Sequence, residues 1–102
     1  MIIRTWRGRA DPQKADAYPS HFRRNVLPEL RTIAGFQGAT LMRQESGGVL
    51  EYLVLTRWAS MDAIRAFAGQ DVSRAVVEPE AVAALVSFDQ TVTHYEVVED
   101  VR

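Results

Sequence analysis

The run from Val49 to Trp58 constrains this chain more than any other stretch. It is β-patterned, and Leu50, Tyr52, Leu53, Val54 and Leu55 place apolar side chains on both parities. Successive strand residues point to opposite faces, so a strand apolar on both belongs in the middle of a sheet and is covered on both sides. Just before it, Ser46-Gly47-Gly48 supplies the positive φ of a tight hairpin. Gly38 to Glu45 is therefore expected to pair with it as an antiparallel neighbour.

The other elements follow from local chemistry. Ile2 to Arg9 alternates apolar and polar residues and reads as a first strand. Asp11-Pro12 reads as a helix start, with Asp capping free N–H groups and Pro at a position whose N–H would be unused. Tyr18, Phe22, Val26, Leu30 and Ile33 form one apolar stripe behind it, with a kink or break expected at Pro19 and Pro28. Ser60 is placed to cap a second helix through Ala63, Ile64, Phe67 and Ala68, which Gly69 ends. A short turn from Asp71 to Val76 and a helical piece from Glu78-Pro79-Glu80 to Leu85 come next. Thr91 to Val98 alternates and reads as the last strand.

The order is β-α-β-β-α-β. It fits a single α+β domain over residues 1–102, with a ferredoxin-like four-stranded antiparallel sheet and both helices on one face. The first strand is expected between the third and the fourth. Ile3, Leu53, Leu55, Tyr95 and Val97 form the more apolar parity, matched to the helices, while Arg4, Trp6, Tyr52, Val54, Thr56, Trp58, Val92, His94 and Glu96 share the other. Helices cover only one face, and 102 residues leave little to cover the second. A second copy packing sheet to sheet is the economical solution, which predicts a homodimer.

Composition removes several function classes. Twelve Lys+Arg against thirteen Asp+Glu give a net charge of −1, so there is no positive surplus for nucleic acid or an anionic membrane. Without Cys there is no disulfide, thiol nucleophile or Cys-type metal site, and His21 and His94 are too few for a His-rich metal centre. Met1-Ile2-Ile3-Arg4 opens no long apolar run, so neither signal peptide nor membrane span is expected, and a cytoplasmic location is. No Gly-rich phosphate loop or Ser/His/Asp order is visible.

Three segments together carry a family likeness. Ile3-Arg4-Thr5-Trp6-Arg7-Gly8, Leu53-Val54-Leu55-Thr56-Arg57-Trp58-Ala59-Ser60-Met61-Asp62-Ala63-Ile64 and Thr93-His94-Tyr95-Glu96-Val97 resemble the antibiotic biosynthesis monooxygenase (ABM) domain family. The resemblance spans nearly the whole chain. It implies a dimeric α+β barrel and an oxygenase acting on an aromatic or polyketide-like molecule without a bound cofactor. Its haem-degrading branch has a ring-distorting Trp in the second helix and a His ten residues on, where this chain has Phe67 and Val77. In the polyphenol oxygenase branch Trp58 matches a pocket Trp, but Val54 and Ile64 replace the Asn and Tyr around it.

His94 is the candidate catalytic base, because an imidazole titrates close enough to neutrality to take a phenol proton. Arg4, Trp6, Tyr52 and Trp58 are the candidate substrate-binding residues. The two Trp rings would stack on a planar ligand, Tyr52 would donate its hydroxyl, and Arg4 would hold an anion or pair with Glu96 across the sheet. His21, beside Ser20 and Arg23-Arg24 on the broken first helix, is expected to face solvent. No metal site is expected. The alternative reading is a non-catalytic homodimer that binds a hydrophobic small molecule.

Overall fold

The computed structural model describes residues 1–102. Its strands are β1 (Ile2–Ala10), β2 (Phe36–Ser46), β3 (Val49–Trp58), β4 (Ser87–Phe88) and β5 (Thr93–Glu96). Its α-helices are α1 (Ala17–His21), α2 (Leu27–Leu30), α3 (Met61–Ala68) and α4 (Pro79–Ala84). The sheet runs β2-β3-β1, and both β4 and β5 pair antiparallel with the far edge of β1. The strand apolar on both parities is thus central, and β1 lies between the third strand and the closing ones, as the ferredoxin-like order requires.

The local signals act as expected at several joints. Gly47 and Gly48 both take positive φ, 60° and 77°, in the β2–β3 turn. The Ser60 hydroxyl accepts from the Ala63 N–H to start α3, and Gly69, at φ 87°, ends it. Asp11 accepts from the Gln13 N–H at the head of a short 3-10 turn.

The helix between β1 and β2 is broken, and the break has a specific form. Between α1 and α2 lies one wide π turn, Phe22–Val26, in which the Leu27 N–H reaches back five residues to the Phe22 carbonyl. Pro28 has no N–H to donate and its ring clashes with a carbonyl four residues back. The wider turn ahead of it avoids both conflicts.

Two expectations need correction. The sheet has five strands, because the closing segment is split. Ser87 and Phe88 pair with Arg9 and Gly8, and Thr93–Glu96 pair with Thr5–Ile2. Between them the chain leaves β1, because the Ala75 N–H bonds to the Gln90 carbonyl and the Val92 N–H to the Ser73 carbonyl.

The two faces of the sheet are also exchanged. The helices cover Arg4, Tyr52, Val54, Thr56 and Trp58, all buried, whereas Ile3, Leu53 and Leu55 lie on the uncovered side and Tyr95 is 58% exposed. Counting apolar residues undervalued bulk. Trp58 and Tyr52 are the largest fully buried side chains, and the polar residues beside them find partners inside.

Two apolar clusters result. One joins Tyr18, Phe22, Tyr52, Val54 and Ala81, and the other joins Leu30, Trp58, Ala63 and Ile64. No helix is long and apolar enough to cross a membrane.

Candidate functional site

Between the helix-covered face of the sheet and the helices, where the two clusters meet, lies a partly enclosed cavity. It offers about 60 Å³ to the centre of a water-sized sphere. A single water needs roughly 10–15 Å³ and a benzene-binding cavity has about 150 Å³, so the enclosed space holds a few waters and a ring would also use its open side. Its sheet side is Arg4, Trp6, Val54 and Thr56, with Val92 beyond β1. Its helix side includes Tyr18, His21, Val26, Leu30 and Phe67, and Glu78 and Ala81 close one end.

Arg4 is 5% exposed and sits on β1 directly between His94 of β5 and Thr56 of β3. Its Nη1 donates to the Val72 carbonyl at 2.7 Å and to His94 Nε2 at 2.9 Å, and its Nη2 donates to the Arg74 carbonyl at 3.0 Å. A guanidinium only donates, so His94 Nε2 must be the acceptor and the imidazole proton lies on Nδ1. Burial pushes the Arg4 guanidinium down to about 10. Desolvation first, and then the Arg4 charge, hold the His94 imidazole below its usual value. Glu96 is opposite Ile2, not Arg4, and the Arg4–Glu96 pair does not form.

The other sequence-predicted residues divide. Trp6 lines the cavity, its indole N–H spent on the Asp89 carbonyl at 2.7 Å and its ring 5.8 Å from that of Tyr18. Tyr52 and Trp58 lie behind the wall. The Tyr52 hydroxyl donates to the Ala15 carbonyl, and the Trp58 indole donates to Thr56 Oγ1 at 2.8 Å with its ring between Phe36 and Phe67. His94 is half-buried behind Arg4 and does not line the cavity.

The residues not foreseen sit on α1. His21 is 6% exposed rather than solvent-facing, and Tyr18 is 4% exposed. The His21 Nδ1 is 2.9 Å from Asn25 Nδ2, and its Nε2 makes no hydrogen bond within the chain. Asn25 is exposed, so its amide can turn to serve either tautomer of the ring. The Tyr18 hydroxyl also has no partner in the chain; burial, and then the Glu78 charge, push its ionisation up, so it stays a donor. The three-residue step from Tyr18 to His21 was the available clue, since residues three apart share a helix face. His21 also borders an outer groove formed with Pro12–Ala17 and α4, so it stands between solvent and the cavity.

The chain is therefore a ferredoxin-like protein with a cavity between sheet and helices. The ABM profile, antibiotic biosynthesis monooxygenase, matches residues 1–79, and the chain belongs to that family. The match stops short of β4 and β5, so His94 lies outside it. Solved structures share the fold. A candidate antibiotic biosynthesis monooxygenase from Bacillus cereus superposes with a TM-score of 0.68 at 17% identity, covering 99% of this chain and 96% of its own. One from Deinococcus radiodurans gives 0.67 at 16%, covering 100% and 97%. A variant of MhuD holding two manganese protoporphyrin IX groups per active site gives 0.64 at 21%, covering 100% and 99%. Among curated proteins the chain has no significant match.

The residues present do not fit a haem. The enclosed cavity is far smaller than a porphyrin, and Phe67 and Val77 stand where the resemblance would need a distorting Trp and an iron-binding His.

Proposed function

We propose that this protein is a homodimeric monooxygenase that oxidises a small aromatic molecule with dioxygen and without a bound cofactor, inside the cavity between sheet and helices. The observation that carries the reading is the pairing of an apolar chamber with two polar groups on its lining residues, the Tyr18 hydroxyl and His21 Nε2, that make no hydrogen bond within the chain and stay accessible. Ligand sites are largely apolar with a few convergent polar groups left free, and these two groups meet that description.

In this reading His21, not His94, takes the phenol proton. The His94 Nε2 lone pair is already engaged by Arg4, whereas the Asn25 amide can turn its carbonyl toward His21 Nδ1–H and leave Nε2 as acceptor. The resulting phenolate passes one electron to dioxygen, giving a phenoxyl radical and superoxide. These combine at a ring carbon ortho to the oxygen to form a peroxide. Loss of that carbon's hydrogen and the O–O bond releases water and leaves a quinone, so one phenol and one dioxygen give one quinone and one water. Trp6, Val54 and Leu30 would keep bulk water from the radical pair. Arg4 and Trp6 remain substrate-binding residues, His94 positions Arg4, and Tyr52 and Trp58 support the wall.

Dioxygen uptake with a panel of small phenols tests the proposal. A general base contributes roughly 10²–10⁴ in rate, so His21→Gln should lower kcat by at least about 100-fold. His94→Gln should act chiefly on KM. The reverse pattern would return the base to His94, and no uptake with any phenol would end the oxygenase reading. One observation favours the binding-only alternative: Val54 and Ile64 offer no hydrogen bond where the polyphenol oxygenase branch has Asn and Tyr. Ligand-induced rises in Tm without turnover would favour that reading.

A further inference from the structure

We propose that the cavity selects a single-ring aromatic acid with a carboxylate at the Arg4 end and a hydroxyl at the Tyr18–Glu78 end. The proposal rests on this cavity being the site. It deepens the functional reading by naming the substrate class.

Arg4 is a buried cation without an anion. The four ion pairs of the chain use Arg7, Arg9, Arg65 and Arg102, and no acidic group lies within 4.0 Å of Arg4. Its partners are two neutral carbonyls, a neutral imidazole and the face of the Phe67 ring at 5.9 Å, none of them an anion. They orient the guanidinium without neutralising it, and three bonds leave two of its five N–H groups for another acceptor. Unpaired buried charge is costly, and a planar fork of donors matches a carboxylate.

The opposite end has the complementary character. Glu78 stands near Tyr18, whose free hydroxyl and the neighbouring His21 can exchange hydrogen bonds with a ligand hydroxyl. A second anion there would be repelled by Glu78, so the charge pattern fixes which way round the ligand enters. Arg4 and Trp6 are two residues apart on one face of β1, and the Trp6 ring packs against that of Tyr18 at 5.8 Å, so Trp6 links the two ends, with Val54 and Leu30 offering apolar surface for a ring.

Calorimetry under anaerobic conditions tests this with 4-hydroxybenzoate, benzoate and the uncharged 4-hydroxybenzyl alcohol. The wild-type protein should bind 4-hydroxybenzoate at least tenfold more tightly than the alcohol, and Arg4→Gln should abolish that preference. Arg4 also ties down the 72–74 loop, so Tyr18→Phe serves as a second variant. It should keep the preference for carboxylate over alcohol while losing most of the advantage of 4-hydroxybenzoate over benzoate. Equal binding of acid and alcohol, a preference that survives Arg4→Gln, or no binding of any of the three would overturn the proposal. Because binding is read without dioxygen, carboxylate selectivity with no later oxygen uptake would sink the oxygenase reading alone.

Discussion

At the scale of single residues, the Arg4–His94 contact fixes a protonation state. His94 accepts from a cation, so protonating it would remove the acceptor lone pair and set two positive groups 2.9 Å apart. Burial and the Arg4 charge both favour the neutral ring in the folded chain. In the unfolded chain the imidazole returns to about 6.5. The folded value is the lower one, so between the two values the unfolded chain binds more protons and stability rises with pH. The contribution of His94 is therefore complete above about pH 6.5 and is lost as pH falls from there toward the depressed folded value. Tm should drop between pH 7 and pH 5 by more in the wild-type protein than in His94→Gln, whose side chain cannot titrate. Parallel pH profiles of Tm would show that the imidazole does not accept from Arg4.

At the scale of elements, the π turn sets the phase of the site. Tyr18 and His21 precede it and Val26 and Leu30 reach the cavity from its end and beyond, so both halves must present the same side to the sheet. One residue changes the phase of a helix by about 100°. Deleting the exposed Arg24 should turn one half away from the core and cost about 2–5 kcal/mol in lost burial. For a domain of this size that is a fall in Tm of roughly 10–30 °C, while Arg24→Ala should stay within about 0.5 kcal/mol of wild type. Deletion and substitution variants melting together would show that the extra residue does not set the phase.

The same helical segment shows what the sequence could and could not reveal. Gly47, Gly48, Ser60 and Gly69 act through neighbours a few residues away, so the hairpin and α3 were legible. Arg4 and Trp6 were legible as site residues because strand alternation alone puts them on one face. His21 was legible only through its three-residue step from Tyr18, because as a lone titratable residue beside Ser20 and Arg23-Arg24 it read as solvent-facing. The β4 strand was not legible. It is two residues long and exists because Gly8 and Arg9 of β1 pair with it from far along the chain.

At the scale of the whole molecule, the uncovered side of the sheet bears on assembly. Ile3, Leu53 and Leu55 lie on that side, with Thr5 of β1 opposite Leu55, Arg7 opposite Leu53, Arg57 opposite Ile3, and Glu51 next to Leu53 on the same face of β3. Half-buried apolar residues interleaved with Arg and Glu make a mixed surface of the kind protein interfaces use, and a stable one removes about 800 Å² from each partner. The exchange of faces strengthens the case for the proposed homodimer. The helices take the parity that carries the cavity, so the more apolar parity is left for a second copy. Dimerisation would then stabilise the sheet from behind without entering the cavity. Sedimentation should give twice the 11.5 kDa of one chain, and Leu53→Arg with Leu55→Arg should give a folded monomer. Binding of small aromatic acids should persist in that monomer with a weakened but measurable Kd, because one chain supplies both a sheet side and a helix side to the cavity. A wild-type protein that sediments at 11.5 kDa would exclude the dimer, and a monomeric variant that loses binding altogether would show that the second copy shapes the site.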